Sequence, residues 1–541
     1  FLNFGFVIDN RNCIGCHACT VACKSENSVP LGVNRTWVKY VEKGYFPDTR
    51  IVFSVMRCNH CENAPCIEIC PTKALYTRPD GIVDFNSDRC IACKSCTQAC
   101  PYDAIYIDPE TNTAAKCNYC AHRVDVGLLP SCVTVCPTEA IIAGDMDDPG
   151  SKINHLISRQ QVTVRKPEKG TRPKLFYIEG DDVSLNPLET KNCEENIFGS
   201  QSAGVGHHSG NTNKSSFHHK LNQDDKKREQ NYRGIFSKNI GHLLNKGLSG
   251  GSRPANRIYD TPSKGILWGW EVAGYIFTKA LAAGILGLPM LLNLLGLVNV
   301  SEEVFLPSAI ASLILLGATG GLLIMDLDQP KRFFYVLLRP QWKSWLVKGG
   351  YILTIYGLLV TIFCIANLLN LEKMNYWLVL PILFMGVLLA IYTAFLFAQA
   401  KGRDFWQSPL LILHMFLHSI IGGSAVLILV NPLFQPLNLM MPDLKNIMIW
   451  AIIINLLSIF AELSFPHPTE DSHRTKNLIY KGYFKYEFWL GVIFFGSLIP
   501  VILLFWTTIP LILSLASFLI LIGVWYSIRI WLMAPQMISL S

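Results

Sequence analysis

Sixteen cysteines in four groups fill the first 140 residues, and their spacing constrains the fold more than any other feature. The groups are Cys13, Cys16, Cys19 and Cys23; Cys58, Cys61, Cys66 and Cys70; Cys90, Cys93, Cys96 and Cys100; and Cys117, Cys120, Cys132 and Cys136. Each opens with a two-residue gap and closes after a three-residue gap. Pro71, Pro101 and Pro137 follow three of the closing cysteines, and Lys24 follows the other. Two-residue gaps wrap thiolates around one corner of a cuboidal cluster, and the closing cysteine reaches a second cluster. A disulfide framework would not repeat one spacing four times. Zinc knuckles use paired cysteines without the closing fourth. The pattern predicts four [4Fe–4S] clusters on sixteen thiolates, with no three-iron site and no stable fold without iron. His17, His60 and His122 sit beside ligand cysteines and read as covers or sulfur-tuning donors rather than ligands.

Behind this polar half lies a very different one. Half of the 541 residues are hydrophobic and only 16% are charged, too few charges for a plain water-soluble enzyme. Eight apolar runs of spanning length lie near 266–292, 304–325, 346–369, 376–400, 408–430, 446–464, 486–506 and 510–533. Trp268, Trp270, Trp342, Trp345, Trp377, Trp406 and Trp489 fall near their ends, as an aromatic belt requires. The chain thus reads as an α+β ferredoxin-like polyferredoxin domain over 1–180, a polar basic linker over 181–263, and an all-α eight-helix transmembrane bundle over 264–541. In the linker, His207, His208, His218, His219 and His242 read as parts of a solvated tether. Phe236–Leu248 reads as a short interfacial helix, with Lys238 and Lys246 towards headgroups.

Charge sets the orientation. Loops near 326–346, 401–407 and 465–485 carry ten Lys and Arg, and those on the other side carry two, Lys373 and Lys445. This predicts a multi-pass protein of the bacterial inner membrane with the cysteine half on the cytoplasmic side. No export signal precedes Phe6, which points the same way. The formal net charge of +7 is no argument for nucleic acid. Four clusters with their thiolates lower it to about −1.

Residues 1–180 resemble the four-cluster ferredoxin subunits of molybdopterin oxidoreductases, such as dimethyl sulfoxide reductase, polysulfide reductase and respiratory nitrate reductase. Phe6, Val7, Ile8 and Asp9, then Arg57, Cys58, Asn59, His60 and Cys61, with Ala64, Pro65 and Cys66, carry the likeness. The resemblance implies exchanged ligands. One cluster takes Cys13, Cys16, Cys19 and Cys136, and a second takes Cys23, Cys117, Cys120 and Cys132. A third takes Cys58, Cys61, Cys66 and Cys100, and a fourth takes Cys70, Cys90, Cys93 and Cys96. The second half is similar to the quinone-interacting membrane subunits of the NrfD-like polysulfide reductase family. That likeness rests on Trp268, Gly269, Trp270, Tyr275 and Lys279; on Asp326, Asp328, Pro330 and Arg332; and on Tyr392, Phe405, Trp406 and Pro409.

The resemblance implies electron transfer between a separate molybdopterin-containing catalytic subunit and the quinone pool, menaquinone or ubiquinone. A sulfite-dehydrogenase-like complex fits a cytoplasmic wire. The alternative is a proton-translocating quinone oxidoreductase subunit, as in alternative complex III. Quinone turnover needs two electrons and two protons, so ionisable residues in or beside spans are the candidates for chemistry. They are Glu271, Lys279, Asp326, Asp328, Arg332, His414 and His418, with Glu462 and Glu487 flanking later spans. Asp326 and Asp328 are the expected proton carriers, and Arg332 is expected to favour their charged form. Each has a plainer reading: Lys279 snorkels, Asp328 pairs with Arg332 four residues on, and the two histidines pack on one helix face.

Overall fold

The computed structural model describes residues 2–190 and 255–541, apart from 46, 262–263, 299 and 466–468. The expected linker histidine pairs and the 236–248 helix lie outside the described residues.

The cysteine half is built on a four-stranded sheet and a three-stranded sheet. Strand β1 (Phe4–Asp9) is buried on both faces, as its apolar run dictates. Strands β2 (Thr36–Tyr45) and β3 (Asp48–Arg57) form a ten-residue antiparallel pair. Two short hairpins follow, β4 (Leu75–Thr77) with β5 (Val83–Phe85) and β6 (Ile105–Ile107) with β7 (Ala114–Lys116). The polypeptide then returns through β8 (Ile141–Asp145), β9 (Val162–Thr163) and β10 (Leu175–Ile178) to complete the order β8-β1-β10-β9. Short helices contain Cys23, immediately precede Cys70 and Cys100, and end at Thr134 just ahead of Cys136.

The sequence boundary at 181–263 needs correction. Asp182–Leu185 is helical, and β11 (Ala255–Tyr259) pairs antiparallel with β2. Buried polar contacts hold this end in place. Trp37 Nε1 donates to Asp260 at 2.8 Å, and Arg257 donates to Asp260 at 2.8 Å and to the Pro187 carbonyl at 3.0 Å. Both edges of the expected tether therefore belong to the cluster domain.

Among the described residues, eight helices are long and apolar enough to cross a membrane. They are Trp270–Leu294, Glu302–Met325, Trp345–Leu368, Glu372–Gln399, Leu410–Val430, Met441–Ser464, Glu487–Trp506 and Pro510–Met533. The seventh winds as a π-helix over Glu487–Leu498 before tightening. The first span is the hub, packing against the second, fourth, fifth and eighth. Its crossing with the fifth is intimate because a Cβ on Gly284 would sit 2.1 Å from the Ser419 carbonyl oxygen. Small residues at such crossings let helix backbones approach in lipid.

The two halves meet along the basic loops. Gln341 N–H donates to the Pro71 carbonyl at 3.0 Å, and Ser344 Oγ donates to the Ile69 carbonyl at 2.7 Å. Arg403 Nε donates to Gln98 Oε1 at 3.0 Å, and Arg474 Nη2 donates to the Leu188 carbonyl at 2.5 Å. Lys169 pairs with Asp404, and Lys166 lies 3.5 Å from Asp471. The three loops that carry the ten cations are the docking face for the cluster domain.

Candidate functional site

The cysteine loops turn tightly around shared cavities. Gly15, His17, His60, Ala92, Lys94, Tyr119 and Cys120 all have positive φ, which turns successive backbone N–H groups inwards. His60 N–H lies 3.5 Å from Cys58 Sγ, Ala92 N–H 3.4 Å from Cys90 Sγ, and Ala140 N–H 3.2 Å from Cys136 Sγ. Left-handed conformations at non-glycine residues cost about 1–3 kcal/mol each, and a bound group that over-determines the loop offsets that cost.

Closing cysteines cross between groups. Cys23, Cys117, Cys120 and Cys132 line one cavity, and Cys70, Cys90, Cys93 and Cys96 line another. Burial and then repulsion from Cys58 and Cys100 push the Cys61 thiol up, and Cys66 feels the same two neighbours. Burial, and next to it Cys136 and Cys16, push up Cys13. Burial takes Cys93 and Cys117 up to about 12, so these thiols ionise only with compensating positive charge among them. Yet among the described residues no three His, Cys, Asp or Glu side chains converge closely enough for a single ion. Four thiols drawn from two sequence groups around one cavity are the ligand set that a cubane requires.

The three cluster-side histidines have other partners. The backbone N–H of Val83 donates to His60 Nδ1 at 3.2 Å, His122 Nε2 lies 2.8 Å from Glu26, and His17 packs edge-on against Tyr259.

Cys93 also faces the membrane half. A second cavity, apolar for the most part, is bounded by Ile91, Cys93, Trp268, Tyr275, Asp326 and Phe333. Ile91 and Cys93 line both this pocket and the cavity of the last cysteine set. Trp268 Nε1 donates to the Cys93 carbonyl at 3.1 Å, and its indole stacks on Phe397 and Trp406. Asp326 stands at the end of the second span, 6% exposed. Burial pushes its carboxyl up to about 7; Lys94 opposes the shift, while Glu271 and Asp328 add to it. Lys94 is buried between the aspartates, 3.6 Å from Asp326 Oδ1 and 3.3 Å from Asp328 Oδ1, and its Nζ donates to the Asp326 carbonyl at 2.8 Å.

The expected role of Arg332 changes here. Its Nη1 donates to the carbonyls of Ser87 at 2.7 Å and Cys90 at 3.1 Å, tying the docking loop to the third cysteine group. The cation between the aspartates is Lys94, which sequence reasoning does not single out. Its position between Cys93 and Cys96 is the signal that could have found it. Lys279 is buried and, among the described residues, pairs with no acid: it donates to the carbonyls of Leu389 and Ala390 and to Thr393 Oγ1, over the Tyr392 ring. Glu487 pairs with Arg529 at 2.6 Å.

A second polar cluster lies among the spans. His414 Nε2 is 3.0 Å from Glu462 Oε2, and Trp531 Nε1 donates to the same oxygen at 3.1 Å. His414 Nδ1 is 3.1 Å from Asn455 Oδ1. His418 and Met415 line the adjoining cavity.

A thiol-lined ferredoxin unit docked on an eight-span bundle defines an electron-transfer membrane protein. Residues 261–540, more than half of the sequence, match the family described as polysulphide reductase, NrfD, and residues 49–146 match a 4Fe–4S dicluster domain. The protein belongs to the polysulphide reductase NrfD family. Its first part is 47% identical over 180 residues to the B polypeptide of polysulfide reductase from Wolinella succinogenes, covering 93% of that protein and 32% of this one. It is 45% identical over 189 residues to the B polypeptide of tetrathionate reductase from Salmonella typhimurium, 76% of that protein and 34% of this one. It is 44% identical over 181 residues to protein NrfC of Escherichia coli, 81% of that protein and 33% of this one. The protein is thus a fusion of an iron–sulfur ferredoxin subunit with an NrfD-like multi-pass membrane subunit.

Proposed function

We propose that this protein carries electrons between a separate catalytic subunit and quinone, through four [4Fe–4S] clusters. The ligand sets are Cys13, Cys16, Cys19 and Cys136; Cys23, Cys117, Cys120 and Cys132; Cys58, Cys61, Cys66 and Cys100; and Cys70, Cys90, Cys93 and Cys96. Bound clusters supply one-electron transfer. The observation that carries the reading is the double placement of Cys93, on the last cysteine cavity and on the pocket closed by Asp326. Trp268, Tyr275 and Phe333 offer a quinone ring apolar and aromatic walls. The Asp326 carboxyl, pushed up to about 7, gains and loses a proton near neutral pH and can exchange it with a quinone oxygen. Lys94 and Asp328 fix its position and charge.

The catalytic partner docks at the opposite end of the wire. Cys16 is exposed, and Ile14, Val21 and Val135 present exposed apolar surface near the first cysteine set. Its chemistry is that of a molybdopterin enzyme acting on sulfur compounds, by analogy with the polysulfide and tetrathionate reductases that the relatives serve; a sulfite-dehydrogenase-like partner is one such enzyme. The cluster domain and the basic loops face the cytoplasm, because ten loop cations against two favour that side. An azido-quinone photolabel tests the pocket. Label on peptides carrying Tyr275 or Leu327 supports it, and label confined to the fifth or sixth span rejects it.

The His414–Glu462–Asn455 network favours a second reading, in which quinone turnover moves protons across the bilayer. Proteoliposomes with an internal pH dye test it. Acidification that follows turnover and is lost in Glu462→Gln supports pumping, and turnover with no transmembrane pH change excludes it.

A further inference from the structure

Arg57 is fully buried inside the cysteine core, at the last residue of β3. Its Nη1 donates to Cys132 Sγ at 3.1 Å, and its guanidinium lies 4.6 Å from the Phe6 ring centroid. Nε and Nη2 have no hydrogen-bond partner among the described residues. The side chain forms part of the wall of the cavity ringed by Cys23, Cys117, Cys120 and Cys132. A buried guanidinium with idle donors is costly unless an anion faces it. Asn27 points the same way: its Nδ2 lies 3.7 Å from Cys23 Sγ and 3.6 Å from Cys120 Sγ. The cavity of Cys70, Cys90, Cys93 and Cys96 contrasts with it. Its nearby cation, Lys94, is already engaged by Asp326 and Asp328.

We infer that Arg57 sets the reduction potential of the group held by Cys23, Cys117, Cys120 and Cys132, its free N–H donors facing the anionic sulfur of that group. A [4Fe–4S] centre with four thiolates is a dianion when oxidised and a trianion after gaining one electron. A fixed cation stabilises the trianion more, so it raises the potential of that centre. No bond breaks, and the electron comes from a chemical reductant such as dithionite. The inference rests on the ligand sets proposed above. Guanidinium does not titrate in the accessible range, so its effect is independent of pH.

The test is an EPR-monitored, mediated dithionite titration of the anaerobically purified protein, as wild type, Arg57→Gln and Arg57→Lys, with iron measured in each. Wild type containing about sixteen irons supports the cluster reading, and about eight rejects it whatever Arg57 does. With iron unchanged, one EPR-resolved midpoint should fall in Arg57→Gln by about 60 mV or more, a tenfold loss in the one-electron equilibrium. The other midpoints should hold, and the shift should be equal at pH 6.5 and 8.5. Arg57→Lys should place the same midpoint between the other two values. If Arg57→Gln loses iron, Arg57→Lys decides alone, since an ammonium cannot present the forked donors and its midpoint should still lie below wild type. Unmoved midpoints in an iron-replete variant, or loss of one centre from both variants, would overturn the inference and leave Arg57 a packing residue.

Discussion

Lys94→Met is the sharpest perturbation of the junction between the two halves. The ammonium is buried and lies 3.3 Å and 3.6 Å from two buried carboxylates. At an effective dielectric of about 20, each contact is worth about 4–5 kcal/mol of attraction before desolvation. Removing one partner of a buried ionic group costs about 3–5 kcal/mol net, because uncompensated charge stays behind. The sign with pH follows from Asp326. Folding raises its carboxyl from 3.8 to about 7. The folded state therefore holds a proton that the unfolded state has released between those values, and stability falls as pH rises through that window. Losing Lys94 raises the carboxyl further, so the share of the penalty that comes from Asp326 is small at pH 5 and large at pH 8, and the total is smaller at pH 5 than at pH 8. Asp326→Asn removes the titrating group and should rescue part of the loss at pH 8. The assay is thermal loss of cluster absorbance in detergent. At about 2–4 °C per kcal/mol, Lys94→Met should lower the midpoint by about 6–20 °C at pH 8. An unchanged midpoint at pH 8, or an equal drop at pH 5 and 8, would refute the charge argument.

Other outcomes follow from the same geometry. Quinone reduction should decline above about pH 7 and quinol oxidation should rise through it, as the Asp326 carboxyl loses its proton; Asp326→Asn should flatten both profiles in steady-state assays. Gly402→Val should leave the iron content intact yet uncouple dithionite-reduced clusters from quinone, since a Cβ there meets the Gln98 carbonyl oxygen at 2.5 Å and that of Cys100 at 2.9 Å. His414→Leu should destabilise the bundle by about 1–3 kcal/mol by stripping a buried carboxylate of its imidazole, whereas Glu462→Gln should be milder in the same thermal assay. Thr507→Cys, at the loop far from the docking face, should react with an impermeant maleimide added to intact cells, and labelling only after lysis would reverse the orientation.

The parts legible in the sequence are those governed by local chemistry. Cysteine gaps report ligand geometry over a few residues, and apolar length reports a span, so the eight spans emerged with boundaries close to those observed. Pairings across the fold did not. Strand β11 joins β2 across more than 200 residues, and its polar sequence reads as tether until Asp260 meets Trp37. Asp328 and Arg332 invite pairing because they are four apart, but a turn around Pro330 sends Arg332 to the Ser87 and Cys90 carbonyls. Lys94 looks like an ordinary loop cation until docking buries it on the second span's end. His414 and Glu462 lie on different helices, and only the packing of the fifth span on the sixth brings them together. Arg57 stands beside a ligand cysteine in the sequence, but its direction depends on how β3 enters the core.

Electron flow from the cysteine half to the membrane pocket can be watched directly. The anaerobically purified protein, reduced stoichiometrically with dithionite and mixed with quinone in a stopped-flow instrument, should show cluster absorbance returning as quinol forms. Asp326→Asn, with about sixteen irons retained, should stay reduced on the same timescale. A fully clustered wild-type protein that quinone cannot reoxidise, in detergent or in vesicles, would contradict a quinone site at the Cys93–Asp326 pocket.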